Sequence, residues 1–248
     1  MKQELYGEGY YSRGGGNFVY KYLLDFFTWW GMLRFDRYFG ITNLVLEIGC
    51  GDGKISDWLS HKDFQIDAVD VSQAAIARAK KQNNKVQYFW GDVFKLNGDS
   101  QKYDVVYSLH VMEHIKNVDE NLEEINRILK DKGKLIIRIP NSDSFEARIA
   151  GKKWFHWDEP YHVNHWKYGE FRNVLIKNGF KNVLINFKLF EYKQVLLYSI
   201  LSFFGLNMKS DRLRLLFLPL QIIFVPISIV LGFVFKNSGT VEIVARKF

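Results

Sequence analysis

Apolar and polar positions follow two different periods along this chain, and the period switches repeatedly. NLVLEIG, 43–49, is a short continuous apolar run of strand type, whereas KISDWLSH, 54–61, spaces its apolar positions as a helix does. The exchange recurs. FQIDAVDVS, 64–72, predicts a strand and QAAIARAKKQ, 73–82, a helix. KVQYFWGDV, 85–93, and YDVVYSLH, 103–110, predict strands. NVDENLEEINRILKDKG, 117–133, predicts a helix ending at Gly133, and KLIIRIPN, 134–141, a strand. KYGEFRNVLIKNGF, 167–180, predicts a helix, NVLINFKLF, 182–190, a strand, and TVEIVARKF a closing strand at 240–247. Strands alternating with helices imply parallel pairing through right-handed crossovers, hence an α/β fold with a doubly wound sheet.

Two stretches stand outside that alternation. After a Gly-rich polar arm, residues 18–39 carry Val19, Tyr22, Leu23, Phe26, Phe27, Trp30 and Leu33 at helical spacing. Between the last two strands lies an apolar helical insertion, VLLYSILSFFGL (195–206) and LRLLFLPLQIIFVPISIVLGFVF (213–235) around a basic link, NMKSDR. Three parts are therefore expected: an arm and aromatic helix over 1–40, a central domain over 41–190 plus 237–248, and the insertion over 191–236. The second apolar segment approaches the ~20 residues of a membrane span. Yet the chain must return to supply the closing strand on the same side, and Pro219, Gln221, Pro226 and Ser228 interrupt the run. The expectation is a helical pair lying in one leaflet, with Lys209, Arg212, Arg214 and Lys236 near anionic head groups. A buried helical subdomain or a dimer interface remains the alternative, and the oligomeric state is open.

Composition narrows the class. At 248 residues, 48% hydrophobic and 25% charged, the chain can bury a core and does not read as disordered. A single cysteine, Cys50, rules out an intrachain disulfide framework and a cysteine-based zinc cluster. The formal net charge of +7 permits nucleic acid, anionic lipid or an anionic substrate without selecting one. The N-terminal MKQELYGEGYYSRGGG has no apolar signal segment, so a cytoplasmic body at the inner face of the membrane is expected.

The candidate chemistry begins at VLEIGCGDGK, 45–54, where an apolar strand ends in Gly49, Gly51 and Gly53. Ligands of open α/β sheets bind beyond the carboxyl ends of the strands, and glycines there permit a tight turn and a close approach. A dinucleotide fingerprint would read GxGxxG, and the third glycine here is out of place for it. The pattern, preceded by Glu47, resembles the ExGxGxG loop of class I S-adenosylmethionine-dependent methyltransferases. Asp70 ends the second strand 21 residues after Gly49, where an acidic acceptor can take ribose hydroxyls. GDV places Asp92, with Val93 beside it, where the family holds the adenine amino group. LKDKGKLIIRIPN resembles the family's LKPGG-then-strand segment. By themselves Asp70 and Asp92 also suit helix caps or turns. Together the landmarks imply a Rossmann-like methyltransferase sheet with S-adenosyl-L-methionine as cofactor, held by Glu47, Gly49, Gly51, Gly53, Asp70, Asp92 and Val93.

Methyl transfer needs an aligned acceptor and, for a hydroxyl, a base. Beyond the fourth strand stands Ser108-Leu109-His110 rather than the Pro-Pro-aromatic motif of base-amine methyltransferases, which argues against nucleic acid. SLHVMEHIKN resembles the Glu-x-x-Glu-His segment of quinone O-methyltransferases, some of which bind a divalent metal there. His110 replaces the first Glu; Glu113 and His114 are kept. On a helix His110, Glu113 and His114 would share one face and suit a metal. The preferred reading is metal-free, with Glu113 capping or packing the next helix and His114 half-buried. WFHWDEPYHVNHWKYGEF, 154–171, reads as a loop on the ligand face and resembles a passage of methyltransferases from surface-glycan and lipid pathways. A neutral histidine suits a general base near neutral pH. His162 is the first candidate, His165 the second and His110 the third; shaping the loop is the alternative role.

The function expected is therefore methyl transfer from S-adenosyl-L-methionine to a hydroxyl of a lipid-linked or surface-glycan acceptor, with peripheral membrane contact. The rivals are a quinone or phenol O-methyltransferase, a non-catalytic membrane-bound nucleoside-binding protein and, third, an RNA methyltransferase, which the dispersed Lys and Arg disfavour.

Overall fold

The computed structural model describes residues 35–40, 44–92, 100–158, 161–188, 216–235 and 237–248, with a few positions between 197 and 213. Seven strands form one sheet in the order β3-β2-β1-β4-β5-β7-β6. They are β1 Leu44–Ile48, β2 Gln65–Asp70, β3 Gln87–Trp90, β4 Tyr103–Leu109, β5 Leu129–Pro140, β6 Phe180–Phe187 and β7 Thr240–Lys247. The helices are α1 Lys54–Ser60, α2 Gln73–Gln82, α3 Val118–Ile128, α4 Phe145–Ala150, α5 Tyr168–Lys177 and α6 Leu218–Phe235. The α/β expectation holds. Strand order reverses at β1, which pairs in parallel with β2 on one side and β4 on the other.

The continuous apolar runs fit a sheet covered on both faces. Side chains alternate across it, so Val45, Val105, Tyr107 and Ile136 join one core with Phe35, Leu59, Ile66 and Ile76. Leu46, Ile48, Val106, Leu135, Ile137 and Ile139 face the opposite way, onto Leu122 and Ile125 of α3 and Phe171 and Leu175 of α5. Helix α3 buries Val118, Leu122, Ile125 and Ile128 at helical spacing. Each such side chain contributes about 1.5–3 kcal/mol of transfer free energy.

Three differences from the sequence expectations have physical causes. Helix α3 stops at Ile128, not Gly133, because Leu129 already pairs with Tyr103. The register then jumps to Val105 opposite Lys134, so Lys130–Gly133 bulge out of the ladder. Lys132 is left-handed there, with φ 63°, and a Cβ on Gly133 would lie 2.7 Å from the Lys130 carbonyl oxygen. Second, β7 runs antiparallel to both β5 and β6, inserted between them. In its register with β5, Arg138 stands opposite Glu242, and the two form a buried ion pair. Third, Phe145–Ala150, to which the sequence pattern assigns no element, forms α4, where Ser144 caps the helix by accepting a hydrogen bond from the Ala147 amide at 3.1 Å.

Positions 18–34, Val93 and much of the expected insertion lie outside the described residues. Within the insertion, α6 is an 18-residue helix with Pro226 inside it. Among the described residues no helix is long and apolar enough to cross a membrane.

Candidate active site

Strand β1 delivers the glycine loop to the carboxyl edge of the sheet. Gly49, Gly51 and Gly53 all have positive φ, at 75°, 55° and 80°. Glycine adopts such backbone at little cost, whereas a residue with a Cβ is strained there. The protein itself also crowds two of them. A Cβ on Gly49 would overlap the Val111 side chain, and one on Gly53 would lie 2.6 Å from the Tyr88 hydroxyl. The loop is thus packed from below by its own chain.

Asp70 ties the loop to the next strand. One carboxylate oxygen accepts from the Gly51 amide and the other from the Ser72 amide, each at 2.8 Å. The Ser72 hydroxyl in turn caps α2 through the Ala75 amide at 3.2 Å. Asp92 follows β3 at the same edge, half-buried, and the preceding Gly91 amide donates to the Asp70 carbonyl at 3.0 Å. Glu47 takes a different position from its loop neighbours. It is buried beneath the loop, where the Ser56 hydroxyl of α1 donates to it. Burial raises its carboxyl to about 7, against the opposing Ser56 hydrogen bond.

The loop after β4 supplies the second wall. His110 is left-handed, φ 57°, and Met112–His114 form a single 3-10 turn. The residues therefore do not share a helical face as the spacing suggested. The His110 ring lies 3.5 Å from a Glu113 carboxylate oxygen. Glu113 is 1% exposed and neither of its oxygens has a hydrogen-bond partner. It does not cap the following helix, whose N-cap is Asn117.

The loop 161–166 closes over that turn. The Val163 and Asn164 amides both donate to the Glu113 carbonyl, at 2.9 and 3.0 Å. His114 Nδ1 meets the Tyr161 carbonyl at 2.9 Å, and the Asn164 side chain donates to the Ile115 carbonyl at 2.6 Å. These bonds bring five of the six histidines in the chain together. The His162 ring lies 4.8 Å from His114, 5.7 Å from His156 and 6.1 Å from His165, centroid to centroid. Trp154 and Trp157 pack on His156 and His165. Burial pushes His162 down to about 2 and His156 to about 3, with neighbouring histidines adding to the effect. His165, less enclosed, is lowered by burial alone.

Of the sequence candidates, the structure brings Gly49, Gly51, Gly53, Asp70 and Asp92 to one edge, with His110, His162 and His165 on the neighbouring loops. Sequence reasoning missed Val111 as the residue closing on Gly49; it grouped His156 with His162 and His165 in the 154–171 stretch but gave it no role.

A methyltransferase-domain family model matches residues 36–185. A ubiquinone biosynthesis O-methyltransferase of Rickettsia bellii is 38% identical over 101 residues, 39% of this chain and 42% of that protein. The chain thus spans about two fifths of the length of such curated relatives. Among solved structures, a SAM-dependent methyltransferase of Archaeoglobus fulgidus superposes with TM-score 0.60 at 20% identity, covering 87% of this chain and 91% of that one. Phosphoethanolamine N-methyltransferase 2 of Haemonchus contortus, in complex with S-adenosyl-L-methionine, superposes with TM-score 0.60 at 19% identity, covering 88% and 52%. At these identities the likeness is one of fold.

Proposed function

The chain belongs to the class I S-adenosylmethionine-dependent methyltransferase family, and from that premise we propose that it transfers a methyl group from S-adenosyl-L-methionine to a hydroxyl of a small, lipid-borne acceptor. The observation that carries the reading is the pairing of a positive-φ glycine loop, tied to Asp70, with a histidine-lined wall at the same edge of the sheet. The glycine loop, Asp70 and Asp92 would hold the cofactor. No residue here needs to form a covalent intermediate. The acceptor oxygen attacks the methyl carbon, the sulfur–carbon bond breaks with its electron pair on sulfur, and S-adenosylhomocysteine leaves.

The proton of the acceptor hydroxyl needs a receiver. His162 faces inward onto Glu113 and His114, in surroundings that disfavour the imidazolium. His165 sits further out against Trp157, so it suits the general base better. The aromatic rings around it suit a planar or sugar-bearing acceptor. The Rickettsia relative supports a quinone-precursor hydroxyl as the acceptor class; a lipid-linked glycan is the second reading, favoured by the 154–171 loop pattern.

The lipid element of the proposal draws on α6. Ile223, Ile227, Val230 and Val234 recur at helical spacing and are all exposed. In sequence the helix is bracketed by Lys209, Arg212, Arg214 and Lys236. Such a face suits the head-group boundary of an anionic membrane. The test supplies S-adenosylmethionine with a deuterated methyl group to purified protein and extracts from cells lacking the gene. Label in an ether-linked methyl of a lipid-soluble phenol supports the quinone class, and label in a glycan lipid the second class. Label in no lipid fraction overturns the acceptor assignment.

A further inference from the structure

We propose that a basic cleft at the end of the sheet away from the glycine loop binds a small phosphate-bearing anion. The cleft has a volume of about 730 Å³, and its lining includes Arg37, Lys134, Arg172, Lys181 and Arg246. Strand register brings three of these cations into one row. Lys134 of β5 stands opposite Arg246 of β7, and Arg246 stands opposite Lys181 of β6. Opposed residues of antiparallel strands share a face with Cβ atoms about 4.5–5.5 Å apart, and like charges placed so repel one another. Arg37, from the 3-10 turn Phe35–Tyr38, and Arg172, from α5, line the same cleft.

Other cations of the sheet have their charge met by a carboxylate: Lys130 pairs with Asp104 and Arg138 with Glu242. Among the described residues none of the five in the cleft forms an ion pair. Their partners are neutral. Arg37 donates to the Tyr38 hydroxyl, Lys134 to the Tyr38 and Phe39 carbonyls, and Arg246 to the Lys132 carbonyl. The Lys181 ammonium lies 3.1 Å from the centroid of the Phe248 ring. Burial and the Arg246 charge both push Lys134 down, and an anion in the row opposes that effect. A phosphate group carries up to two charges on three acceptor oxygens, and arginine forks match it in geometry. Phe180, Val183, Leu184 and Val244 add an apolar wall, on which Leu184 is 62% exposed. The occupant that fits both parts joins a phosphate to an apolar or planar body.

The cleft is separate from the methyl-transfer site. Lys134 opens the paired part of β5 against β7 and Pro140 ends the strand. At about 3.3 Å per residue that is about 20 Å, with the glycine loop at the far end. Binding here therefore does not rest on the methyl-transfer reading. A phosphate ester is either a free molecule or a lipid head group. The exposed face of α6 belongs to the other end of the sheet, where Phe235 stacks on Phe145 of α4, just beyond the carboxyl end of β5. A membrane held by α6 leaves the cleft in water, which favours the free molecule.

The test titrates the full-length protein by calorimetry with pyrophosphate and with naphthyl phosphate. One equivalent of either should bind, and raising salt from about 50 to about 500 mM should weaken both at least about tenfold. Arg172 and Arg246 are exposed, so their replacement leaves the core intact. Arg172→Gln and Arg246→Gln should each weaken both probes by at least about fivefold. Lys81→Gln removes the same charge from the exposed end of α2 and should change binding by less than about twofold. Leu184→Thr should weaken naphthyl phosphate by about fivefold and leave pyrophosphate unchanged. Failure of both probes to bind, or losses from Lys81→Gln equal to those from Arg246→Gln, overturns the site. Cosedimentation with phosphatidylglycerol vesicles should be unchanged in Arg172→Gln/Arg246→Gln. A loss there, with the soluble probes unbound, assigns the cleft to lipid head groups and overturns the free-ligand reading. S-adenosylhomocysteine is titrated into the same samples. Its binding without that of the probes refutes the cleft alone, and the reverse refutes the methyl-transfer reading alone.

Discussion

Replacing Glu47 by Gln separates two roles that the ExGxGxG pattern confounds. The side chain lies beneath the glycine loop on the Ser56 hydroxyl, and its carboxyl is raised from 4.5 to about 7, chiefly by burial. One unit is about 1.36 kcal/mol, so the fold favours the protonated over the charged form by about 3 kcal/mol. The sign follows from linkage. A folded-state value above the unfolded one contributes stability that is complete below about 4.5 and lost as pH rises through about 7. Gln cannot ionise, so the variant should lack this loss. Urea unfolding of both proteins at pH 5 and pH 8 should show the variant gaining about 3 kcal/mol relative to wild type at the higher pH. Affinity for S-adenosylhomocysteine should change by less than about threefold, or 0.6 kcal/mol, if the buried carboxyl is engaged by the Ser56 hydroxyl rather than by the ligand. Parallel pH profiles for the two proteins would refute the burial argument. A large loss of cofactor affinity without loss of stability would place Glu47 on the ligand.

Gly49→Ala should destabilise by about 2–4 kcal/mol, from the left-handed backbone and the overlap with Val111, and Gly49→Ala/Val111→Ala should recover only the overlap part. A melting curve unchanged by the single substitution would contradict the packing. Glu242→Ala removes the buried carboxylate that Arg138 and Lys188 both face and should cost about 3–5 kcal/mol in chemical denaturation, more than Glu242→Gln. Equal, small effects of the two would mean that the pair is solvated.

The strands of the central sheet were legible because burial on both faces writes itself as unbroken apolar runs, as in LVLEI and KLIIRI. Helix ends were less legible. LKDKG carries good helix formers, and only the cross-strand partner of Leu129 decides that it is extended. The antiparallel sense of β7 is likewise absent from a pattern that encodes faces but not direction. In the site, the glycine loop and Asp70 were legible as a motif, because backbone geometry restricts the residue type. The histidine cluster was legible only as separate members. Glu113 and His162 are 49 residues apart, and the contact exists because Asn164 and Val163 bond the Glu113 carbonyl. That pairing is tertiary, so periodicity holds no trace of it. Glu47 shows the converse: a motif residue whose side chain lies beneath the loop.

Calorimetric titration of the purified protein with S-adenosylhomocysteine tests the central claim most directly. One molecule should bind per chain, and Asp70→Ala, which frees the Gly51 and Ser72 amides, should weaken binding by about 1–3 kcal/mol, or roughly 5- to 150-fold. No binding by the wild-type protein, or binding of NADH in its place, would contradict the account.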